Sequence, residues 1–275
     1  MNGPELLASN FGILHTKVGA CWPGTRAVFR GHDLHQDLRN SDWMDLYVFG
    51  ITGRRFTPQQ LKLLHGIWVI TSYPDTRLWN NRVAGLAGNV RSSPTLGMSA
   101  GIAVSEATVY GGGAGLRAID FITRAAKAVD SGQALHAFVG QELTSRYLYG
   151  YGRPIHAVDE RLQWLAQLAR EQGMADGKHF KLAFEVANTL AEMGKTNLKM
   201  NYAGMTSALG ADLGLSRRDF QLFRVPLFFA GMPPCWVEAA DKPEGTLFPT
   251  PCDGIAYAGK AIRPWRGMLS SADKN

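Results

Sequence analysis

The run Tyr110-Gly111-Gly112-Gly113-Ala114-Gly115-Leu116-Arg117-Ala118 is the stretch whose residue types point most directly to chemistry. Consecutive glycines permit positive φ and let a backbone or a ligand come close. Where such a run opens a helix, its amide N–H groups are free to face an anion. Two readings fit. One is the pyrophosphate cradle of a dinucleotide-dependent oxidoreductase; the other is one wall of a different active site. The cradle needs a preceding strand and a βαβ unit around it. Residues 97–109 read as helix as easily as strand, and few parallel-strand patterns occur elsewhere.

The other reactive side chains form no comparable pattern. Cys21, Cys235 and Cys252 are odd in number, far apart and without metal-ligand spacing, as in a reduced cytoplasmic protein. His15, His32, His35, His65, His136 and His179 lack paired spacing, and His32 and His35 with Asp33 and Asp37 make only a weak cluster, so no metal is expected. Neither a Gly-x-Ser-x-Gly elbow nor a P-loop is present. The formal charge is +6, but the basic residues are scattered, with short pairs only at Arg54-Arg55 and Arg217-Arg218. A nucleic-acid surface needs clustering, whereas an anionic small molecule needs only a local excess. No run of 18 apolar residues spans a membrane, and Met1-Asn2-Gly3-Pro4-Glu5 does not open a secretory signal.

The elements that must position any site are mostly helical. Thr57-Pro58-Gln59-Gln60 is a helix start, followed by Leu61, Leu64, Ile67, Trp68 and Thr71 at helical spacing. Ser41-Asp42 precedes a second helix from Trp43. Residues 96–109, rich in Ala, Gly and Ser, suit a closely packed helix. Further helices are expected over 114–129, 159–172, 179–193, 206–213 and 218–229, with an irregular tail from Lys242. The expectation is an all-α protein of about ten short helices.

Several separated segments together resemble the citrate synthase superfamily, especially its short citryl-CoA lyase-like members. Arg30-Gly31-His32-Asp33-Leu34 resembles an Arg-Gly-Tyr-Asp-Leu element, and Ile51-Thr52-Gly53-Arg54-Arg55-Phe56-Thr57-Pro58 resembles a Leu-Thr-Gly…Thr-Pro junction. Gly111-Gly112-Gly113-Ala114 resembles a His-Gly-Gly-Ala loop. The segment from Gly150-Tyr151-Gly152-Arg153-Pro154-Ile155-His156 to Val158-Asp159-Glu160-Arg161 resembles Gly-Phe-Gly-His-Pro-x-His…Val-Asp-Pro-Arg. Asn201-Tyr202-Ala203-Gly204 resembles Asn-Val-Asp-Gly, and the stretch 231–238 around Trp236 resembles the helix that follows. The order holds from about residue 17 to 265.

The resemblance implies a citrate synthase-like helical fold, with a large domain over 1–150 and 202–275 and a small domain over 151–201. It also implies a homodimer whose site is shared between subunits. The family makes or breaks a carbon–carbon bond between an acyl-CoA and a keto acid. A carboxylate takes the proton α to the thioester, one histidine stabilises the enol and another polarises the keto carbonyl. Here the first histidine falls on Gly111, or on Tyr110 with one extra glycine, the second on Arg153 and the carboxylate on Ala203. A substrate histidine falls near Ser72 and a substrate arginine near Phe228. Alanine moves no proton, and arginine stays protonated, so the usual reaction is not expected. The resemblance leaves Arg153 as a carbonyl or carboxylate anchor and Tyr110 or His156 to handle the proton. Gly111, Gly112 and Gly113 lie against a thioester, with Asn201, Tyr202, Arg161 and Arg263 as substrate contacts. The expected partner is a carboxylate or acyl-CoA, with CoA entering as part of a substrate and no resident cofactor. A non-catalytic, ligand- or partner-binding homologue is the alternative.

Overall fold

The computed structural model describes residues 2–108, 111–145, 147–153, 158–246 and 252–263. Its first half runs α1 (Gly3–Asn10), β1 (Gly19–Trp22), β2 (Arg26–Phe29), β3 (His32–Asp33), α2 (Trp43–Thr52), α3 (Pro58–Thr71), α4 (Trp79–Asn89) and α5 (Pro94–Ser105). Its second half runs α6 (Gly112–Asp130), α7 (Leu135–Ser145), α8 (Arg161–Glu171), α9 (Lys178–Glu192), α10 (Tyr202–Asp212), α11 (Arg217–Phe229) and α12 (Met232–Ala240), before one 3-10 turn at Cys252–Gly254. The fold is all-α apart from a small antiparallel sheet in the order β1-β2-β3, with Gly19 opposite Phe29 and Val28 opposite Asp33. No helix among the described residues is long and apolar enough to cross a membrane.

Local chemistry sets the helix starts. At α3, Thr57 accepts the Gln60 amide while Gln60 accepts the Thr57 amide, and Pro58 takes the first helical position, where its missing N–H has no cost. Ser216 and Asp219 form the same reciprocal box at α11, and Asp42 caps α2. Arg30 sits in the left-handed region (φ 51°), and its guanidinium donates to the Gly50 carbonyl at 2.6 Å. That bond pins the sheet to the negative end of α2.

Two helix boundaries differ from the expectation by about a turn. α5 stops at Ser105 rather than 109. α10 starts at Tyr202 rather than 206, because Asn201 caps it by accepting the Gly204 amide. α4 and α7, which are absent from the sequence expectation, pack against α5 and α12 and against α6 and α9 respectively.

The core gathers around α6 and α10. α6 presents Ile119, Phe121, Ile122 and Ala125, all no more than 3% exposed, to α9, α10 and α11. Nearly every side of α10 is buried, as for a helix at the centre of a bundle. Glycine makes that approach possible. A Cβ at Gly204 would sit 2.4 Å from the Gly150 carbonyl oxygen, and one at Gly210 would sit 2.7 Å from the Phe220 ring. A second, smaller cluster of Ala84, Met98 and Met232 joins α4, α5 and α12. There Gly88 and Gly97 let the helices nearly touch, which accounts for the small residues of α5. Phe220 is fully buried. Phe220→Ala is expected to lower the unfolding free energy by about 3–5 kcal/mol in denaturant titration, since the surrounding helices collapse only partly into the cavity.

Candidate functional site

The segment before α8 and the start of α10 meet at one carboxylate. Asp159, 2% exposed, accepts Arg161 Nε at 2.7 Å and Arg161 Nη2 at 2.8 Å, and its Oδ2 also accepts the Tyr202 amide at 2.9 Å. The Arg161 guanidinium then lies 4.4 Å from the centroid of the Tyr202 ring and 5.5 Å from that of Tyr73. Arg153 points to the same place. Its Nη1 donates to the Val158 carbonyl at 3.1 Å and to Glu160 at 3.4 Å, and its Nε stands 3.9 Å from Asp159. Tyr73 donates to the other oxygen of Glu160 at 2.8 Å, and the Tyr202 hydroxyl shares a 2.6 Å hydrogen bond with Thr71. Two arginines, two tyrosines and two carboxylates thus converge from the segment after α3, from Arg153 and residues 159–161, and from α10.

Charge at this junction is held in place. Burial pushes the Asp159 carboxyl up, but Arg161, the Tyr202 amide and Arg153 outweigh it and leave it below the usual carboxylate range. Burial opposes the Arg161 charge too, and Asp159 overcomes it. The Tyr73 phenol is pushed up to about 12 by burial and by Glu160, so it stays a hydrogen-bond donor at neutral pH. Burial likewise raises Tyr202.

The glycine run opens α6, which packs along α10. Gly111 is the N-cap of α6, and Gly112 and Gly113 form its first turn. Gly111 has φ −131°, so the run is not needed for a left-handed turn. It is needed for closeness: a Cβ at Gly111 would lie 2.5 Å from the Ser105 carbonyl oxygen. The element before it is α5, not a strand, which removes the context a dinucleotide cradle requires. Arg224 of α11, 7% exposed, donates to the Gly112 carbonyl at 2.9 Å and stacks on Phe220 and Phe228. Gly115 leaves its space open, since a Cβ there would be 1.6 Å from Arg224 Nη1. Burial lowers the Arg224 pKa, while Tyr202 and Glu106 favour its charge. Along the outer face of α6 runs a cleft of about 510 Å³ lined by Arg117, Arg124, Arg217, Glu142, Tyr147 and Tyr149, and Arg117 donates to the Gly113 carbonyl at 3.3 Å.

Of the residues expected from sequence, Arg153, Arg161, Asn201 and Tyr202 come together, and Gly111, Gly112 and Gly113 lie one helix packing away. Asn201 is committed to structure at both ends, capping α10 and donating to the Gly152 carbonyl at 2.8 Å. Arg263 is exposed in the tail. Tyr110 and His156 lie outside the described residues. Sequence reading missed Asp159, Tyr73, Thr71 and Arg224 as site residues. Arg224 carried a usable signal: it is a charge on the same helical face as Phe220, Phe223 and Leu227. Among the described residues no group of three His, Cys, Asp or Glu is placed to hold a metal.

Because the Asp159 carboxyl titrates below its unfolded value of about 3.9, its stabilisation is complete above about pH 5 and is lost as pH falls below about 4. Asp159→Asn is therefore expected to destabilise the protein by about 3 kcal/mol at pH 7, by leaving half-buried Arg161 without its partner. The gap from the wild type should narrow in denaturant titrations below pH 4.

No protein-family model matches the chain, and no curated protein matches its sequence. Solved structures do. The citryl-CoA lyase of Hydrogenobacter thermophilus aligns over 94% of this chain and 99% of its own, at 21% identity and a TM-score of 0.81. The ATP citrate lyase of Methanothrix soehngenii, solved with citrate and coenzyme A, aligns over 98% of this chain but 46% of its own, at 18% identity and a TM-score of 0.71. The citrate synthase of the archaeon Thermoplasma acidophilum, solved with carboxymethyl coenzyme A and oxalateacetate, aligns over 82% of this chain and 59% of its own, at 13% identity and a TM-score of 0.62. This chain shares its fold with these citryl-CoA lyase and citrate synthase structures and is close to the former in length.

Proposed function

We propose that this chain is a citrate synthase-like enzyme acting on an acyl-CoA, or on a related β-keto or carboxylic acid, through a non-standard active site. The reaction is carbon–carbon bond formation or cleavage, or another reaction of an enolisable acyl group. One observation carries the reading: Arg153 and Arg161 meet at Asp159, and the charges of Arg161 and Arg224 both bear on Tyr202. Guanidinium groups held in fixed orientation suit carboxylates, which they bind in bidentate fashion. Solved proteins of this fold hold citrate, oxalateacetate and coenzyme A.

In this reading Arg153 and Arg161 anchor the carbonyl or carboxylate, with Tyr202 and Asn201 shaping that end. Gly111, Gly112 and Gly113 face the thioester. Tyr110 or His156 handles the proton, and Arg263 meets a phosphate or carboxylate. The cleft beside α6, with Arg117 and Tyr149 in cation–π contact at 5.0 Å, gives room for an extended anionic substrate. The protein works in the cytoplasm as a homodimer, and 151–201 forms its smaller lobe. The dimer face is that of α5 and α12, where Leu96 and Val237 are 65% and 53% exposed.

A second reading, a non-catalytic homologue that binds a ligand or a partner, is favoured by Ala203 and Phe228, which remove a base and a substrate arginine together. Calorimetry with CoA thioesters and dicarboxylates, paired with turnover assays, separates the two, because binding without turnover supports the second. If the enzyme reading holds, Arg153→Ala should lower kcat/KM for the true substrate by about 100-fold or more, the loss of a charge-assisted anchor; unchanged turnover would sink the anchor role. Leu96→Glu should convert a dimer to monomer in sedimentation velocity.

A further inference from the structure

Glu160 is the N-cap residue of α8, yet its side chain makes no capping hydrogen bond. Glutamate is not among the residues favoured at that position, so capping does not account for it. Its carboxylate is used elsewhere. One oxygen accepts the Tyr73 hydroxyl at 2.8 Å, and the other accepts Arg153 Nη1 at 3.4 Å. A carboxylate gripped by a guanidinium and a phenol is the arrangement expected of a bound anionic ligand. Here the chain itself supplies the carboxylate.

The two carboxylates of the cluster differ in what a ligand meets. The Asp159 side chain is 1% exposed and both its oxygens are taken by Arg161 and the Tyr202 amide. Glu160 is 57% exposed and Arg153 is 21% exposed, so this pair faces solvent. The Glu160 carboxyl is held below the usual carboxylate range by its own backbone amide and then by the Tyr73 hydroxyl, and is charged at neutral pH. Each guanidinium of the pair Arg153 and Arg161 is thus matched by a carboxylate. A further carboxylate brought to Arg153 finds that charge already answered and a like charge beside it, and such repulsion is how a site rejects a ligand. A carbonyl oxygen has no net charge to repel. Arg153 Nη2 makes no hydrogen bond to a described residue, which leaves it a donor for such an oxygen.

We propose that Glu160 is a specificity-determining residue of this site: it occupies Arg153 as an internal carboxylate, excludes a ligand carboxylate there, and leaves Arg153 to a neutral carbonyl oxygen. The substrate class is one that brings a ketone or thioester carbonyl, rather than a carboxylate, to the Arg153 end. This rests on the reading of Arg153 as an anchor given above.

The test uses citrate and acetyl-CoA as probes, with wild type, Glu160→Gln, Arg153→Ala and the double variant. Binding is read by calorimetry and folding by circular dichroism. The expected result is citrate binding at least about tenfold tighter in Glu160→Gln than in the wild type, with the gain absent from the double variant. Acetyl-CoA affinity should stay within about threefold between wild type and Glu160→Gln, because a carbonyl does not compete with the Glu160 charge. Equal citrate affinity in wild type and Glu160→Gln, with weaker binding in Arg153→Ala, overturns the role of Glu160 and leaves Arg153 as the anchor. A gain that persists in the double variant overturns both, since citrate is then held elsewhere. Absence of citrate binding in both wild type and Glu160→Gln also overturns the role of Glu160, and acetyl-CoA binding by the same preparations then decides the acyl-CoA reading separately.

Discussion

The buried carboxylate of Asp159 is the point from which the rest of the site is organised. It is almost fully out of water, and such a charge is tolerable only when paired and hydrogen-bonded. Asp159 is both: it receives two bonds from Arg161 and one from the first amide of α10. The last of these fixes the α10 N-terminus against the α8 entry, since a carboxylate is at home beside a helix's positive end. Without it, the Arg161 guanidinium would lose its seat over Tyr202, and Tyr202 would lose the frame that sets its hydroxyl on Thr71.

Three guanidinium groups around one helix start would repel if mobile. They are kept apart by different fastenings. Arg161 is locked by Asp159, Arg153 by the Val158 carbonyl and Glu160, and Arg224 by the Gly112 carbonyl and two phenyl rings. Fixed charges of this kind lower the cost of stabilising an anion, because their reorganisation is paid in folding rather than in reaction. Arg224, one helical turn before Phe228, lies over its ring.

Small residues do the complementary work of bringing backbones together. Gly115 admits the Arg224 guanidinium, Gly204 admits the Gly150 carbonyl, and Gly88 and Gly97 admit α12. A side chain at Gly115 would displace the Arg224 guanidinium, and one at Gly204, Gly88 or Gly97 would force the packed elements apart. The glycine run at 111–113 belongs to the same class. Its value lies in the Ser105 and Ala107 carbonyls and the Glu106 carboxylate packed against it, rather than in unusual torsions.

Much of the scaffold was legible in the chain itself. Cap residues such as Thr57, Asp42 and Ser216 act through bonds three residues long, so the sequence alone determined where α2, α3 and α11 begin. The all-α class and the ordered motifs likewise follow from local periodicity and residue order. The packing of α4 against α12 and of α7 against α9 was decided by contacts distant in sequence. The same holds for the site. Asp159 and Tyr202 are 43 residues apart and Arg224 and Gly112 are 112 apart, so no local pattern pairs them. Sequence order supplied the glycines and the arginines. Only the packing of α6, α10 and α11 set which carbonyl each arginine holds and which carboxylate faces the glycines, because burial and distance exist only once the helices have met.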